Sequence, residues 1–128
     1  MTIPTNEGFA EMAKLCTGAT SSAFTRIAVG IGSAPSASGD TLGSEVTDAG
    51  LARVVASAVS TVQTTVPNDT ASWVHTFTST GDRAITEAGI FNAASGGDML
   101  IVGAVSPTAS MVSGDTLTLT MKCQFKAD

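Results

Sequence analysis

Two strand-like apolar segments joined by a short glycine-rich turn, at residues 85–105, constrain this fold more than any other feature of the chain. The first segment ends with Phe91, and the second begins with Met99. Gly96 and Gly97 lie between them and supply the positive φ angles that a tight reversal needs. This stretch therefore predicts an antiparallel β-hairpin.

Glycine-aspartate turns recur along the chain. They occur at Gly39-Asp40, Gly81-Asp82, Gly97-Asp98 and Gly114-Asp115. The last three stand at near-regular intervals, with apolar, β-prone segments between them. This spacing predicts an antiparallel meander. An aspartate in such a turn accepts local backbone hydrogen bonds, so these carboxylates do not indicate a metal site.

The last segment of the chain alternates apolar and polar residues with the period of a β-strand. Its apolar row is Leu117, Leu119, Met121, Cys123 and Phe125. The alternation predicts a strand with one buried face and one face that is wet or paired. Similar rows are Ile27, Val29 and Ile31, then Trp73, His75 and Phe77, and more weakly Val54, Ala56, Ala58, Val62 and Val66.

Residues 6–16 follow helical spacing instead. The face that this spacing would bury holds Phe9, Met12, Ala13 and Cys16. Asn6 can act as the N-cap, and Gly18 stands just beyond the helix end. We therefore predict a mainly β domain spanning residues 1–128, with one short N-terminal helix followed by an antiparallel, jelly-roll-like β-sandwich. Residues 1–5 precede the helix and are predicted to form an extended arm.

The composition indicates a surface that other subunits cover. Charged residues make up 13% of the chain, against about 25% in a typical domain, and the mean hydropathy is +0.29. Few charges oppose close packing of a surface rich in Ser, Thr, Ala and Gly, so we expect part of it to be buried in an assembly. A monomer with a neutral surface is the alternative.

Charge and hydropathy also exclude two classes of partner. The net charge is −5, and the six basic residues are scattered rather than clustered, which argues against nucleic-acid binding. The longest apolar run, residues 99–105, is far shorter than the roughly 20 residues that span a bilayer. The first residues lack the pattern of a secretory signal, so we expect synthesis in the host cytoplasm without export.

The sequence holds no recognisable catalytic or cofactor-binding constellation. His75 is the single histidine, it lies in a predicted strand row, and the chain contains no Gly-x-Ser-x-Gly elbow. Cys16 and Cys123 lack the paired spacing of a metal or redox motif. We expect both to be buried free thiols, with a single disulfide as the alternative. The prediction is a protein that is not an enzyme and binds no cofactor or metal.

Glu87 is the charge with the most unusual surroundings. It is flanked by Ala88 and Gly89 and shares a strand face with Phe91. An unpaired buried carboxylate is costly, so we expect an ion pair with an arginine, Arg26, Arg53 or Arg83. The alternative is an edge position that is open to water.

Several short sequence words, in order along the chain, resemble small structural proteins of tailed-bacteriophage particles. They are Thr5-Asn6-Glu7-Gly8, residues 24–30, residues 42–46, Leu51-Ala52-Arg53, residues 87–93 with Ser95-Gly96-Gly97 and Met99-Leu100, and residues 114–117. The words look like those of capsid decoration proteins and of the amino-terminal domains of phage tail-collar fibre proteins.

The resemblance implies a virion structural protein, with capsid decoration as the first expectation. The protein would then sit on the outer surface of the head, bind the major capsid protein, bridge capsomers and form a small oligomer, with a trimer as the first guess. The segments expected to reach neighbours are the arm, with Thr2, Ile3, Pro4 and Thr5, and the loop at residues 32–43, with Ser33, Pro35, Ser36, Ser38 and Asp40.

Two other functions stay open at this point. The same domain could attach a fibre at the tail, neck or collar. A carbohydrate-binding adhesin module is a third expectation, although one Trp and no Tyr leave few aromatic platforms for a sugar. For the loop at residues 32–43, a surface segment without a partner is equally open.

Overall fold

The computed structural model describes residues 2–20, 22–33 and 41–127 as one helix and eight strands. The elements are β1 (Thr2–Pro4), α1 (Asn6–Thr17), β2 (Arg26–Gly30), β3 (Val54–Val55), β4 (Ala58–Val62), β5 (Thr70–Thr78), β6 (Arg83–Phe91), β7 (Met99–Met111) and β8 (Thr116–Gln124). They form a five-stranded sheet in the order β1-β7-β6-β2-β3 and a three-stranded sheet in the order β4-β5-β8. Every strand pairing is antiparallel. The predicted mainly β sandwich with one short helix is confirmed.

The predicted hairpin is formed by β6 and β7. Ile90 lies opposite Ile101, and Gly89 opposite Val102. Gly96 and Gly97 both take positive φ angles in the turn, at 59° and 70°. Since a side chain strains this left-handed conformation, glycine suits both positions.

The predicted meander is wrong at two of its three turns. The turn at Gly97-Asp98 joins neighbours in one sheet, but the turn at Gly81-Asp82 leads from β5 to β6 and the turn at Gly114-Asp115 from β7 to β8, and both pairs lie in different sheets. β8 instead pairs with β5 along its whole length. A turn motif specifies a reversal of the chain, whereas the choice between one sheet and two depends on which apolar rows pack across the core.

The weak apolar row at residues 54–66 is also divided between the sheets. β3 pairs with β2 in the larger sheet, while β4 pairs with β5 in the smaller one. Ala56, which lies between them, is buried. The chain therefore crosses from one layer to the other within a few residues.

The core lies between the two sheets. It buries the row of β5 at Trp73 and Phe77, the row of β2 at Ile27 and Val29, and Met121 of β8. A second apolar cluster covers the opposite face of the larger sheet, where Phe91, Met99 and Val102 pack with Leu42 and Ala28. The large sheet is thus buried on both faces.

The helix has the predicted length but turns a different face to the sheet. Gly8 and Glu11 are buried, whereas Phe9 is 58% exposed and Cys16 is exposed. Gly8 rests against β7 so closely that an added Cβ would lie 2.5 Å from the backbone oxygen of Leu100. This close approach sets the rotation of the helix, so the predicted buried face, with Phe9 and Cys16, is wrong.

The helix ends follow the expected chemistry with one shift. Thr5, rather than Asn6, is the N-cap, and its hydroxyl accepts a hydrogen bond from the Gly8 amide at 2.9 Å. At the other end Gly18 adopts the left-handed conformation, with a φ of 74°.

Candidate assembly surface

The N-terminal residues predicted to form an arm belong to the fold itself. Thr2, Ile3 and Pro4 pair with residues 101–103 of β7 as an edge strand. Thr5 is fully buried, and besides capping α1 its hydroxyl donates a hydrogen bond to the backbone oxygen of Met99. The backbone hydrogen bonds available along β7 explain why this segment does not project as an arm.

The loop predicted to reach neighbours is described only at its ends. Ser33 is exposed, whereas Pro35, Ser36, Ser38 and Asp40 lie outside the described residues. The two ends of the loop are held together, because the Ile31 amide donates to the Ser44 backbone oxygen at 2.9 Å.

Glu87 is buried, with 1% of its surface exposed, but its observed partner is not an arginine. Its Oε1 accepts a hydrogen bond from the Ser44 amide at 3.1 Å. It fills the space left by two glycines: an added Cβ at Gly30 would lie 2.4 Å from Oε1, and one at Gly32 would lie 2.9 Å from it. Glu87 therefore anchors the end of the loop to β6.

The expected arginine pairing of Glu87 is wrong because two of the three candidate arginines bind other carboxylates. Arg53 pairs with Glu45, and Arg83 pairs with Asp48. Among residues 2–20, 22–33 and 41–127, no Lys or Arg lies within ion-pair distance of Glu87.

Arg53 holds the hairpin turn against the rest of the domain. Its Nη2 and Nε donate to the two carboxylate oxygens of Glu45 at 2.6 and 3.0 Å. Its Nη1 donates to the backbone oxygens of Ala93 at 3.0 Å and Gly96 at 2.7 Å, and its guanidinium carbon lies 3.6 Å from the ring centre of Phe91. This network ties the turn between β6 and β7 to Glu45 and to the Phe91 ring.

The two cysteines are unpaired and differ in exposure. Cys16 is exposed on α1, which corrects the expectation that it is buried, and Cys123 is half-buried on β8. Burial raises the pKa of the Cys123 thiol. Cys123 packs against the core as a small apolar side chain.

The outer face of the smaller sheet is polar but nearly uncharged. Its exposed or half-buried residues, which alternate with the core row, are Ala58, Ser60, Val62, Val74, Thr76, Thr78, Thr116, Thr118, Thr120, Lys122 and Gln124. Lys122 is the one charged side chain among them. Such a face gives little electrostatic protection against association with another protein.

At one side of the sandwich the edge strands of both sheets meet. β1 is one edge of the larger sheet and β8 is one edge of the smaller sheet. One cleft of about 260 Å³ lies between residues 103–106 of β7 and residues 119–121 of β8. A second, of about 220 Å³, lies between β1 and residues 122–125 and is walled by Phe9 and Phe125. Both clefts touch Thr2, and together we call them the β1–β8 groove.

The sequence interpretation missed this groove for an identifiable reason. Phe9 and Phe125 belonged to predicted buried rows, but both are largely exposed, at 58% and 48%. The charged Lys126 next to Phe125 was an available signal that the row had left the core.

Comparison with known proteins identifies a family that the chain matches. The sequence model described as podophage GP4 fiber I protein gp80 matches residues 10–123, which include α1 from its second turn and the sandwich through most of β8. The chain belongs to this fibre protein family.

Membership of the fibre I family makes the chain a structural protein of the phage virion, as the resemblance had implied. No curated protein and no solved structure matches the chain significantly. Within the described ranges, no helix is long and apolar enough to cross a membrane, and no three His, Cys, Asp or Glu side chains gather as metal ligands would.

Proposed function

We propose that this chain is a non-enzymatic subunit of the phage fibre apparatus, which docks on other virion proteins through the surfaces of a rigid β-sandwich. The observation that carries the proposal is the match of residues 10–123 to a fibre I protein family. The match extends over most of the fold, so the family resemblance concerns the sandwich as a whole.

The structure offers physical support for a docking role. The outer face of the smaller sheet carries one charge, and the chain as a whole has 13% charged residues. Arg53 donates two hydrogen bonds to the hairpin turn, and the loop ends are joined at Ile31 and Ser44. A preorganised surface of this kind loses little conformational entropy when it binds.

Decoration of the head, with the major capsid protein as partner, was the first expectation from the resemblance and now stands second. The family name favours the fibre. We include in the proposal that copies of this chain assemble into a small oligomer, with a trimer as the first guess. Such an oligomer is compatible with a location on the fibre or on the head.

Gold-labelled antibody microscopy of intact particles tests the location. We expect label at the fibres or at their attachment to the tail or neck. Label spread over the head would overturn the fibre proposal in favour of decoration. If intact particles carry no label, although the antibody detects the protein in the same particles after denaturation, the protein would lie inside the particle. Particles made without this gene product are the control for antibody specificity.

A further inference from the structure

The outer edge of β8 is a row of main-chain groups without a strand partner. β8 pairs with β5 on one side only and stands at the edge of its sheet. In the part of the chain that the structure describes, no backbone hydrogen bond joins residues 116–124 to a strand other than β5. In an antiparallel strand, alternate N–H and C=O groups point to each side, so this edge presents donors and acceptors to the groove.

The β1–β8 groove follows this edge for the length of a short strand. Its two clefts extend along residues 119–125, a distance of roughly 20 Å at the rise of a β-strand. A cavity of about 150 Å³ takes a benzene-sized group, and the clefts measure about 260 and 220 Å³. Each cleft can therefore receive an apolar side chain from an added strand.

Two lysines lie beside the groove, in a chain of net charge −5. The nearby Asp69 carboxylate, which accepts from the Gln124 side chain, is already held by the backbone amides of residues 64–66. Lys122 lines the second cleft, and Lys126 follows Phe125, the wall of that cleft. The ion pairs among the described residues involve Lys14, Arg53 and Arg83, so neither Lys122 nor Lys126 has an acidic partner there. A segment entering the groove would gain most from carboxylates near its apolar residues.

A second copy of β8 does not meet these requirements. The apolar row of β8 at Leu117, Leu119 and Met121 packs against the core of its own sandwich, so a neighbouring β8 could extend the sheet but could not fill the clefts. The occupant must bring apolar side chains that are not already buried in its own fold. An extended segment meets this requirement, whereas a strand that already belongs to a packed sheet does not.

We propose that the β1–β8 groove accepts an extended, acidic segment of another virion protein, which adds as a strand to the free edge of β8. Alternate apolar side chains of the segment occupy the two clefts, and its carboxylates lie near Lys122 and Lys126. This inference rests on the proposed function in that it takes the partner to be a component of the particle.

Cys123 provides a built-in reporter, because it lines the second cleft while Cys16 is exposed on α1. Alkylation of both thiols is followed by mass spectrometry in the isolated protein and in intact particles. We expect the alkylation rate of Cys123 to be at least about tenfold lower in particles than in the isolated protein, with the rate of Cys16 as the internal reference. An unchanged Cys123 rate, relative to Cys16, would overturn the proposal.

The charge requirement is tested with a double variant, Lys122→Gln with Lys126→Gln. A matched control, Thr47→Asp with Ser113→Asp, changes the net charge equally at two exposed positions away from the groove. We expect the lysine variant to be incorporated into particles about two- to twentyfold less well, and the control to be incorporated like the wild type. Equal incorporation of the two variants would contradict an acidic partner.

A synthetic peptide separates failure of the groove from failure of the proposed function. The probe is Val-Glu-Val-Thr-Val-Glu-Val, with a version carrying Lys in place of Glu as control, and the readout is protection of Cys123 in the isolated protein. Protection by the acidic peptide alone supports the groove even if the protein is absent from fibres. Equal protection by the two peptides would overturn the proposal in favour of non-specific binding. Protection that rises with protein concentration in the absence of peptide would overturn it in favour of self-association.

Discussion

The guanidinium of Arg53 lies 3.6 Å from the ring centre of Phe91, and the same group forms a two-point ion pair with Glu45. The Arg53 side chain is only 6% exposed. The planar guanidinium of an arginine can stack on an aromatic ring and donate two hydrogen bonds to a carboxylate at the same time, whereas a lysine ammonium cannot.

We expect Arg53→Ala to lower the free energy of unfolding by about 3 kcal/mol, because it leaves the Glu45 carboxylate and two carbonyl oxygens without their donor. Arg53→Lys should recover only part of this loss. Urea unfolding measures both. Arg83→Ala is the matched control, since Arg83 pairs with Asp48 near the surface, and there the loss should be about 0–1 kcal/mol. Equal losses at Arg53 and Arg83 would contradict the assigned role of Arg53.

Gly8 is required by contact with β7 rather than by its backbone conformation. Alanine favours a helix over glycine by about 1 kcal/mol, yet its Cβ would lie 2.5 Å from the Leu100 oxygen. We expect Gly8→Ala to destabilise the protein by about 1–3 kcal/mol in thermal or urea unfolding. Gly81→Ala, whose Cβ would meet only Ala49 at 3.5 Å, is the control and should change stability by less than about 0.5 kcal/mol. A stabilised Gly8→Ala protein would show that the helix does not approach the sheet this closely.

Asp69 links the turn after β4 to the end of β8. Burial acts to raise the pKa of this carboxyl, but backbone amides of Thr64, Val66 and Thr65 and the Gln124 side chain donate to it, and the net result is a pKa well below its usual range. A depressed folded-state pKa contributes stability above the unfolded value near about 4, and this contribution is lost as the pH falls below it.

We therefore expect the urea midpoint of the wild type to fall as the pH is lowered from about 5 toward 2. Asp69→Asn should be less stable at neutral pH and should show a shallower decline in this range. Parallel pH profiles for the two proteins would rule out Asp69 as a source of the acid sensitivity.

Asp98 and Glu11 bring two carboxyl groups together between the hairpin turn and α1. Burial and the neighbouring Glu11 raise the pKa of Asp98, whereas the Lys14 ammonium lowers the pKa of Glu11. A raised acid pKa means that the ionised Asp98 opposes folding above its unfolded pKa. We expect Asp98→Asn to raise the melting temperature at pH 7 and to have little effect at pH 3. Asp82→Asn, at an exposed turn position, is the control, and a gain of equal size there would point to net charge as the cause.

The two thiols should differ in reactivity in the isolated protein. Cys16 is exposed, and burial raises the pKa of Cys123, which lowers its thiolate fraction at neutral pH. We expect alkylation at pH 7.5 to modify Cys16 first and Cys123 more slowly, with equal rates after denaturation. Preferential labelling of Cys123 would contradict the packing found for β8.

Local patterns in the sequence predicted several elements correctly. The β6–β7 hairpin follows from its apolar segments and Gly96-Gly97, and the core row of β8 follows from strict alternation through Met121. The end of α1 at Gly18 likewise depends on a single residue's backbone preference. The candidate groove was not predictable in this way, because it is formed by β1 and β8 from opposite ends of the chain.

The sequence by itself determined where the long strands and several turns occur and which rows of β2, β5 and β8 are apolar, since these depend on neighbours a few residues apart. Only the tertiary structure decided which turns cross between the sheets, which face of α1 meets β7, and that Arg53 binds Glu45 while Glu87 is held by the Ser44 amide. These outcomes depend on close approaches between distant segments, where a Cβ that would lie 2.5 Å from a backbone oxygen at Gly8, or a better-placed carboxylate, outweighs local preference.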